Sequence, residues 1–144
     1  MTLDEWMARL FGQDERPALG RLEWYVERRD RCIEQLWQLT KQLIGVGTNV
    51  VLEIGLIQQR EREEFYARVD QERMGLTVYV IDAPRELRRE RVQRRNEEQG
   101  ETFSMEVPPH FFELASDMWE PPQEDECLER DVRFPPVVEM KRPG

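Results

Sequence analysis

Asn49-Val50-Val51-Leu52-Glu53-Ile54-Gly55 is a nearly continuous β-branched run, and Leu76-Thr77-Val78-Tyr79-Val80-Ile81 repeats the pattern downstream. Runs of this length suit strands buried on both faces of a parallel sheet. Gly55 ends the first. Residues 58–73 between them are polar and helical, with Phe65 and Val69 as apolar anchors. Two apolar strands joined by such a helix form a right-handed crossover, which makes the sheet parallel and the fold class α/β.

Upstream, Leu22, Tyr25, Val26, Ile33, Leu36, Trp37, Leu43 and Ile44 recur near helical spacing, so residues 21–44 form the strongest helix, ended by Gly45 and Gly47. Residues 3–11 read as a short helix, with Asp4 and Glu5 suited to its N-terminus. Gly12, Pro17 and Gly20 make the connection a loop. Downstream, Asp82-Ala83-Pro84 opens a helix running to Gln99, and Gly100 stops it. After Val107-Pro108 a last helix turns Phe111, Phe112, Ala115, Met118 and Trp119 toward the core. Glu120-Pro121-Pro122 then opens an acidic tail with Glu124, Asp125, Glu126, Glu129 and Asp131. Val132 to Met140 holds room for one short strand, interrupted by Pro135-Pro136, and Lys141 to Gly144 is expected to fray. The expected division is residues 1–125 as the α/β domain and 126–144 as an acidic, then basic, tail. There is no internal repeat.

The 144 residues suffice for one domain, burying roughly 68–70% of the unfolded surface. Charged residues make up 35% of the chain and the net charge is −9, a surface that repels nucleic-acid backbones and anionic membranes. No stretch approaches the ~20 apolar residues of a membrane span. The N-terminus lacks the basic start and apolar run of a secretory signal. Cys32 and Cys127 suggest no disulfide framework, and the cytoplasm is the expected location.

Residues 85–95, Arg-Glu-Leu-Arg-Arg-Glu-Arg-Val-Gln-Arg-Arg, carry the chemistry. The plain reading is a solvated helix laced with ion pairs. Glu90 and Glu98 account for Arg94, and Glu86 accounts for Arg89. Arg88 and Arg91 have no acidic residue three or four positions away, and Arg95 extends their face. Three stacked guanidiniums suit a bound polyanion, which accepts their bidentate hydrogen bonds. Only Leu87 and Val92 are apolar there, so the helix packs lightly, as a moving lid does. The acidic segment Glu120 to Asp131 is the competing partner. Ligands of open parallel sheets bind beyond the strands' carboxyl ends, where Glu53 and Asp82 lie. A carboxylate in an apolar run is costly unless used, and Glu53 suits magnesium, directly or through water; its plain reading is solvation at the sheet edge. Asp82 reads as a helix cap. His110 is the only histidine, no Cys/His cluster suits zinc, and neither G-x-S-x-G nor G-x-x-x-x-G-K-[ST] occurs.

Thr2-Leu3-Asp4-Glu5-Trp6-Met7, Val50 to Gly55, Asp82-Ala83-Pro84 with Arg88, Arg91 and Arg95-Asn96, and Gly100-Glu101-Thr102-Phe103 with Glu120-Pro121-Pro122 together resemble a known family. It is the P-loop kinase-like family of AAA-domain ATP-binding proteins, similar in fold to zeta-toxin and chloramphenicol phosphotransferase enzymes. The resemblance covers about residues 2–125. It implies a three-layer P-loop NTPase-like parallel sheet, here incomplete: the first strand, phosphate loop, first helix and second strand would all precede Asp4. It further implies Asp4 as general base, Glu53 as the acidic residue organising Mg2+, and Arg88, Arg91 and Arg95 as lid arginines neutralising the phosphoryl group of ATP. The chain is then expected to be an N-terminally shortened ATP-dependent phosphotransferase, weak or inactive toward ATP. Its acceptor hydroxyl, on a small molecule or otherwise, is unidentified. The other expectation is a non-catalytic domain that binds a protein or pairs with itself through an exposed sheet edge. Nucleic acid is a disfavoured partner.

Overall fold

In the computed structural model, residues 1–99 and 106–136 are described. They form a mixed α/β arrangement that divides into two compact units, Met1–Gly55 with Glu98–Glu106 and Leu56–Glu97 with Val107–Gly144. The Gly100 to Phe103 motif, the Gly100 stop, the part beyond 136 of the strand expected over Val132 to Met140, and Lys141 to Gly144 lie outside the described residues.

In the first unit, α1 (Leu3–Phe11) packs against α2 (Arg21–Gly45). Leu3 and Met7 of α1 and Cys32, Leu36 and Trp37 of α2 are buried, Leu36 completely. Leu22 and Ile44, near the ends of α2, are exposed, so the apolar stripe is used only at its centre. Gly47 ends the helix at φ +83°, a backbone that favours glycine; its N–H donates to the Ile44 carbonyl at 2.9 Å.

The expected strand at 49–54 is not a strand. It makes one parallel bridge, Thr2 with Glu53, in which Leu3 N–H donates to the Glu53 carbonyl and Glu53 N–H to the Met1 carbonyl. The ladder stops there because its partner turns into α1 at Leu3. Nor is the run buried on both faces: Ile54 is buried, Val50 and Leu52 half-buried, and Val51 and Glu53 exposed.

The second unit holds α3 (Gln59–Gln71), β1 (Thr77–Tyr79), α4 (Arg85–Glu98), α5 (Pro109–Asp117), α6 (Glu124–Glu129) and β2 (Asp131–Arg133). β1 and β2 pair in parallel, Val78 opposite Val132, and are the two strands of the sheet among the described residues. The crossover therefore runs through α4, α5 and α6, whereas the sequence pointed to one through α3. The 76–81 run is also one-sided: Leu76, Val78 and Val80 are half-buried, while Thr77, Tyr79 and Ile81 are exposed. On α5 only Phe112 is buried; Ala115 and Met118 face solvent.

The acidic segment after Pro122 folds. The boundary expected between residues 125 and 126 falls inside α6, and Glu126 is buried against α3. Arg62 Nε and Nη2 donate to its two carboxylate oxygens at 2.8 and 2.9 Å, and the Tyr66 hydroxyl donates at 2.6 Å. Arg62 Nη1 also donates to the Glu120 carbonyl at 2.8 Å. Arg62, Tyr66 and Val69 share one face of α3, all buried. Hydrogen bonding from Arg62 holds the Glu126 carboxyl below its usual range, and burial, then the hydrogen bond to Glu126, pushes the Tyr66 phenol up.

Candidate functional site

α4 has no buried residue, as its composition implied, but polar contacts within the second unit pin one side of it. Arg85 donates from Nε to Glu113 at 3.1 Å and from Nη1 to Asp117 at 2.8 Å; Arg89 Nε donates to Glu113 at 2.7 Å. The Arg89 guanidinium also lies 5.7 Å from the centre of the Phe112 ring and pairs with Glu86. Asn96 closes the far end, donating to the Val107 carbonyl at 2.8 Å and accepting from its N–H at 3.1 Å. Arg89, then Arg85, holds the Glu113 carboxyl below its usual range by hydrogen bonding. The acidic partners of this helix thus come chiefly from α5, not from Glu120 to Asp131. Replacing Glu113 with alanine is expected to speed amide exchange along α4 while leaving the α3–α6 amides unchanged, as hydrogen–deuterium exchange would register. Equal exchange in both proteins would mean the clamp does not hold the helix.

The three arginines singled out from sequence differ from one another. Arg88 is engaged: its Nε donates to the Ala83 carbonyl at 3.0 Å and lies 3.8 Å from the Asp82 carboxylate. Arg91 is exposed, with no hydrogen bond or ion pair among the described residues. Arg95 is half-buried, and its Nε is buried without a hydrogen-bond partner among them. Arg94, which spacing paired with Glu90 and Glu98, makes neither pair among the described residues. The available guanidinium face is therefore Arg91, Arg94 and Arg95. Asp82 does not cap α4, which begins at Arg85; its carboxylate accepts from the Ala83 N–H at 2.7 Å and the Trp119 indole at 3.2 Å.

Asp4 and Glu53 belong to the first unit, where the Thr2–Glu53 bridge brings both to the start of α1. Asp4 is exposed in the first helical turn. Burial, then the Asp4 charge, pushes the Tyr25 phenol on α2 up. The Glu53 side chain is exposed, its backbone alone being used by the bridge. No group of three or more His, Cys, Asp or Glu side chains among the described residues is arranged to hold a metal. A lone free carboxylate fits magnesium carried mainly by water and phosphate oxygens, which is how that ion is commonly held.

A cavity of about 180 Å3 in the second unit is lined by Glu63, Asp70, Asp125, Glu126, Glu129 and Arg130 among others. It is smaller than the roughly 300 Å3 of a typical small-molecule site and lined mostly by carboxylates, so it does not suit a polyphosphate. His110 is exposed, and its ring lies tilted by 37° against Phe111, 4.4 Å between ring centres. No helix among the described residues is long and apolar enough to cross a membrane.

A family model described as AAA domain matches residues 1–122. No curated protein and no solved structure matches the chain.

Proposed function

The chain belongs to the AAA-domain family, and from that premise we propose that it carries part of a P-loop kinase-like phosphotransferase that uses Mg2+ and ATP. The small parallel sheet of this mixed α/β chain is consistent with an incomplete P-loop NTPase-like fold; the three-layer arrangement is our reading of its complete form. One observation carries the proposal beyond family membership. α4 keeps Arg91 and Arg95 without ion-pair partners among the described residues, although the chain has 30 acidic residues to 21 basic ones. Guanidiniums left unpaired in so acidic a chain suit the oxygens of a polyphosphate.

In this reading Arg91 and Arg95, with Arg88 steadied by Asp82, neutralise charge on the transferring phosphoryl group. Within the first unit, Asp4 would serve as base toward an acceptor hydroxyl and Glu53 would hold magnesium, directly or through water. Magnesium, when bound, shields the phosphate oxygens from the attacking hydroxyl. Binding the nucleotide also requires a phosphate loop, and residues 1–144 contain no G-x-x-x-x-G-K-[ST]. Calorimetric titration with Mg·ATP tests this. Residues 1–144 should give little or no heat, and a form extended upstream through a strand and such a loop should bind. If the extended form folds and still does not bind, the proposal fails. The second reading is a non-catalytic domain that binds a protein partner or pairs with itself, and the exposed Tyr79 and Ile81 of the second unit favour it.

A further inference from the structure

We propose that Asp82 and Trp119 are positioning residues for Arg88: Asp82 is a counter-charge that holds Arg88 back from an anion on α4, and the Trp119 indole keeps that carboxylate from closing on it. The inference rests on the anion-binding reading of α4 and adds a control to it. All of its residues lie in the second unit.

A guanidinium has five N–H donors, and Arg88 spends one of them: Nε donates to the Ala83 carbonyl at 3.0 Å. Its two Nη groups make no hydrogen bond or ion pair among the described residues. Arg91 and Arg95 follow it on the same helix face. The acid within ion-pair reach of Arg88 among the described residues is Asp82, 3.8 Å from Nε. That separation is too long for a hydrogen bond but short enough for attraction.

The gap has a cause. Both Asp82 oxygens are taken: Oδ1 accepts from the Ala83 N–H at 2.7 Å, and Oδ2 accepts from the Trp119 indole at 3.2 Å. The indole comes from an anchored place. The Arg62 guanidinium lies 5.8 Å from the centre of the Trp119 ring. The next residue, Glu120, donates its N–H to the Ile57 carbonyl at 2.9 Å, and its carboxylate accepts from the Gln59 N–H at 2.7 Å. Trp119 is thus fixed from the α3 side and draws Asp82 away from Arg88. Asp82 and Arg88 are both partly exposed, so their attraction is weak. An anion of several charges that accepts hydrogen bonds from the Nη groups displaces it.

The test is titration of inorganic tripolyphosphate into the full chain and its variants at low ionic strength. Asp82→Asn removes the counter-charge and should tighten binding by about three- to fivefold, the scale of an exposed ion pair. Trp119→Phe keeps a ring but frees Asp82 to bond Arg88, and should weaken binding by a similar factor. Removing any negative charge near α4 favours an anion, so both substitutions are repeated in an Arg88→Ala background, where the greater part of each effect should disappear. The Trp119 indole N–H resonance, assigned by its absence in Trp119→Phe, should move when tripolyphosphate is added to the wild type, as Asp82 loses Arg88. Mere support of the fold gives neither opposite signs nor this signal. Binding by Asp82→Asn alone also supports the proposal. Equal binding by wild type and Asp82→Asn, effects of one sign, effects that persist in full without Arg88, or a still indole resonance each overturn it while leaving the anion reading in place. Binding by neither protein removes both.

Discussion

Replacing Glu126 with alanine is expected to destabilise the second unit by about 3–5 kcal/mol, the usual consequence of stranding one partner of a buried ion pair. Arg62 and Glu126 are 4% and 8% exposed, so the guanidinium left behind would have little water to turn to. The Tyr66 hydroxyl would lose its acceptor as well. A loss of that size is a large fraction of the roughly 5–15 kcal/mol that holds an ordinary domain together. Urea unfolding followed by the tryptophan signal measures it. Removing both charges in an Arg62→Met/Glu126→Leu pair should recover much of the loss, since the desolvation of both ions disappears with them. If Glu126→Ala unfolds at the wild-type urea concentration, the cluster is not what joins α3 to α6.

The same cluster sets a pH dependence with opposite signs at the two ends. The Glu126 carboxyl is held below its ordinary 4.5. Its contribution to stability is therefore complete above about pH 4.5 and is lost as pH falls through the depressed value. The Tyr66 phenol is raised above its ordinary 10.0, so its contribution is complete below about pH 10 and is lost as pH rises through the elevated value. The cluster's contribution should form a plateau between these limits, and Tyr66→Phe should shrink the alkaline fall while leaving the acid one.

The second large effect concerns chemistry. In a form that carries a phosphate loop, Arg95→Ala is expected to lower the rate of ATP hydrolysis by roughly 10²–10³-fold, near the lower end of what a guanidinium on the transferring phosphoryl group supplies. Arg91→Ala should act in the same direction. Arg88→Ala should cost less, because Arg88 is already engaged by the Ala83 carbonyl and Asp82. The ordering matters more than any single value. A sequence reading treats the three residues alike, whereas the structure separates one engaged guanidinium from two available ones. Equal effects at all three positions would contradict that separation.

The helices before Pro121 were legible in the sequence because their causes are local. The recurrence of Leu36 and Trp37 in the apolar pattern is the same fact as the buried stripe of α2, which Cys32, outside that pattern, completes. The strands were legible as extended segments but not in their pairing or burial. Val50 to Ile54 looks two-sided by composition, yet its partner ends at Leu3, and alternation leaves Val51 81% exposed. β2 overlaps the start of the one short strand expected over Val132 to Met140 but begins at Asp131; its parallel ladder to β1 and the Thr77–Asp131 hydrogen bond of 2.9 Å were not legible in the sequence. α6 had a signal in Glu124, Asp125 and Glu126, acidic residues suited to a first helical turn. That Glu126 meets Arg62 and Tyr66 from a distant part of the chain could not be read from spacing. At the candidate site, i±4 spacing predicted pairs for Arg94 that do not form and missed the Asp82 contact of Arg88, because that acid sits before the helix. Arg94 thereby joins the candidate anion face.

Titration of inorganic tripolyphosphate into residues 1–144 at low ionic strength tests the anion-binding role of α4 most directly, since it needs neither adenine recognition nor a phosphate loop. Wild-type protein is expected to bind it, and Arg91→Ala/Arg95→Ala to bind it at least about tenfold more weakly, the scale of one or two charge-assisted contacts. Binding that is absent in the wild type, or unchanged in the double variant, would contradict the account.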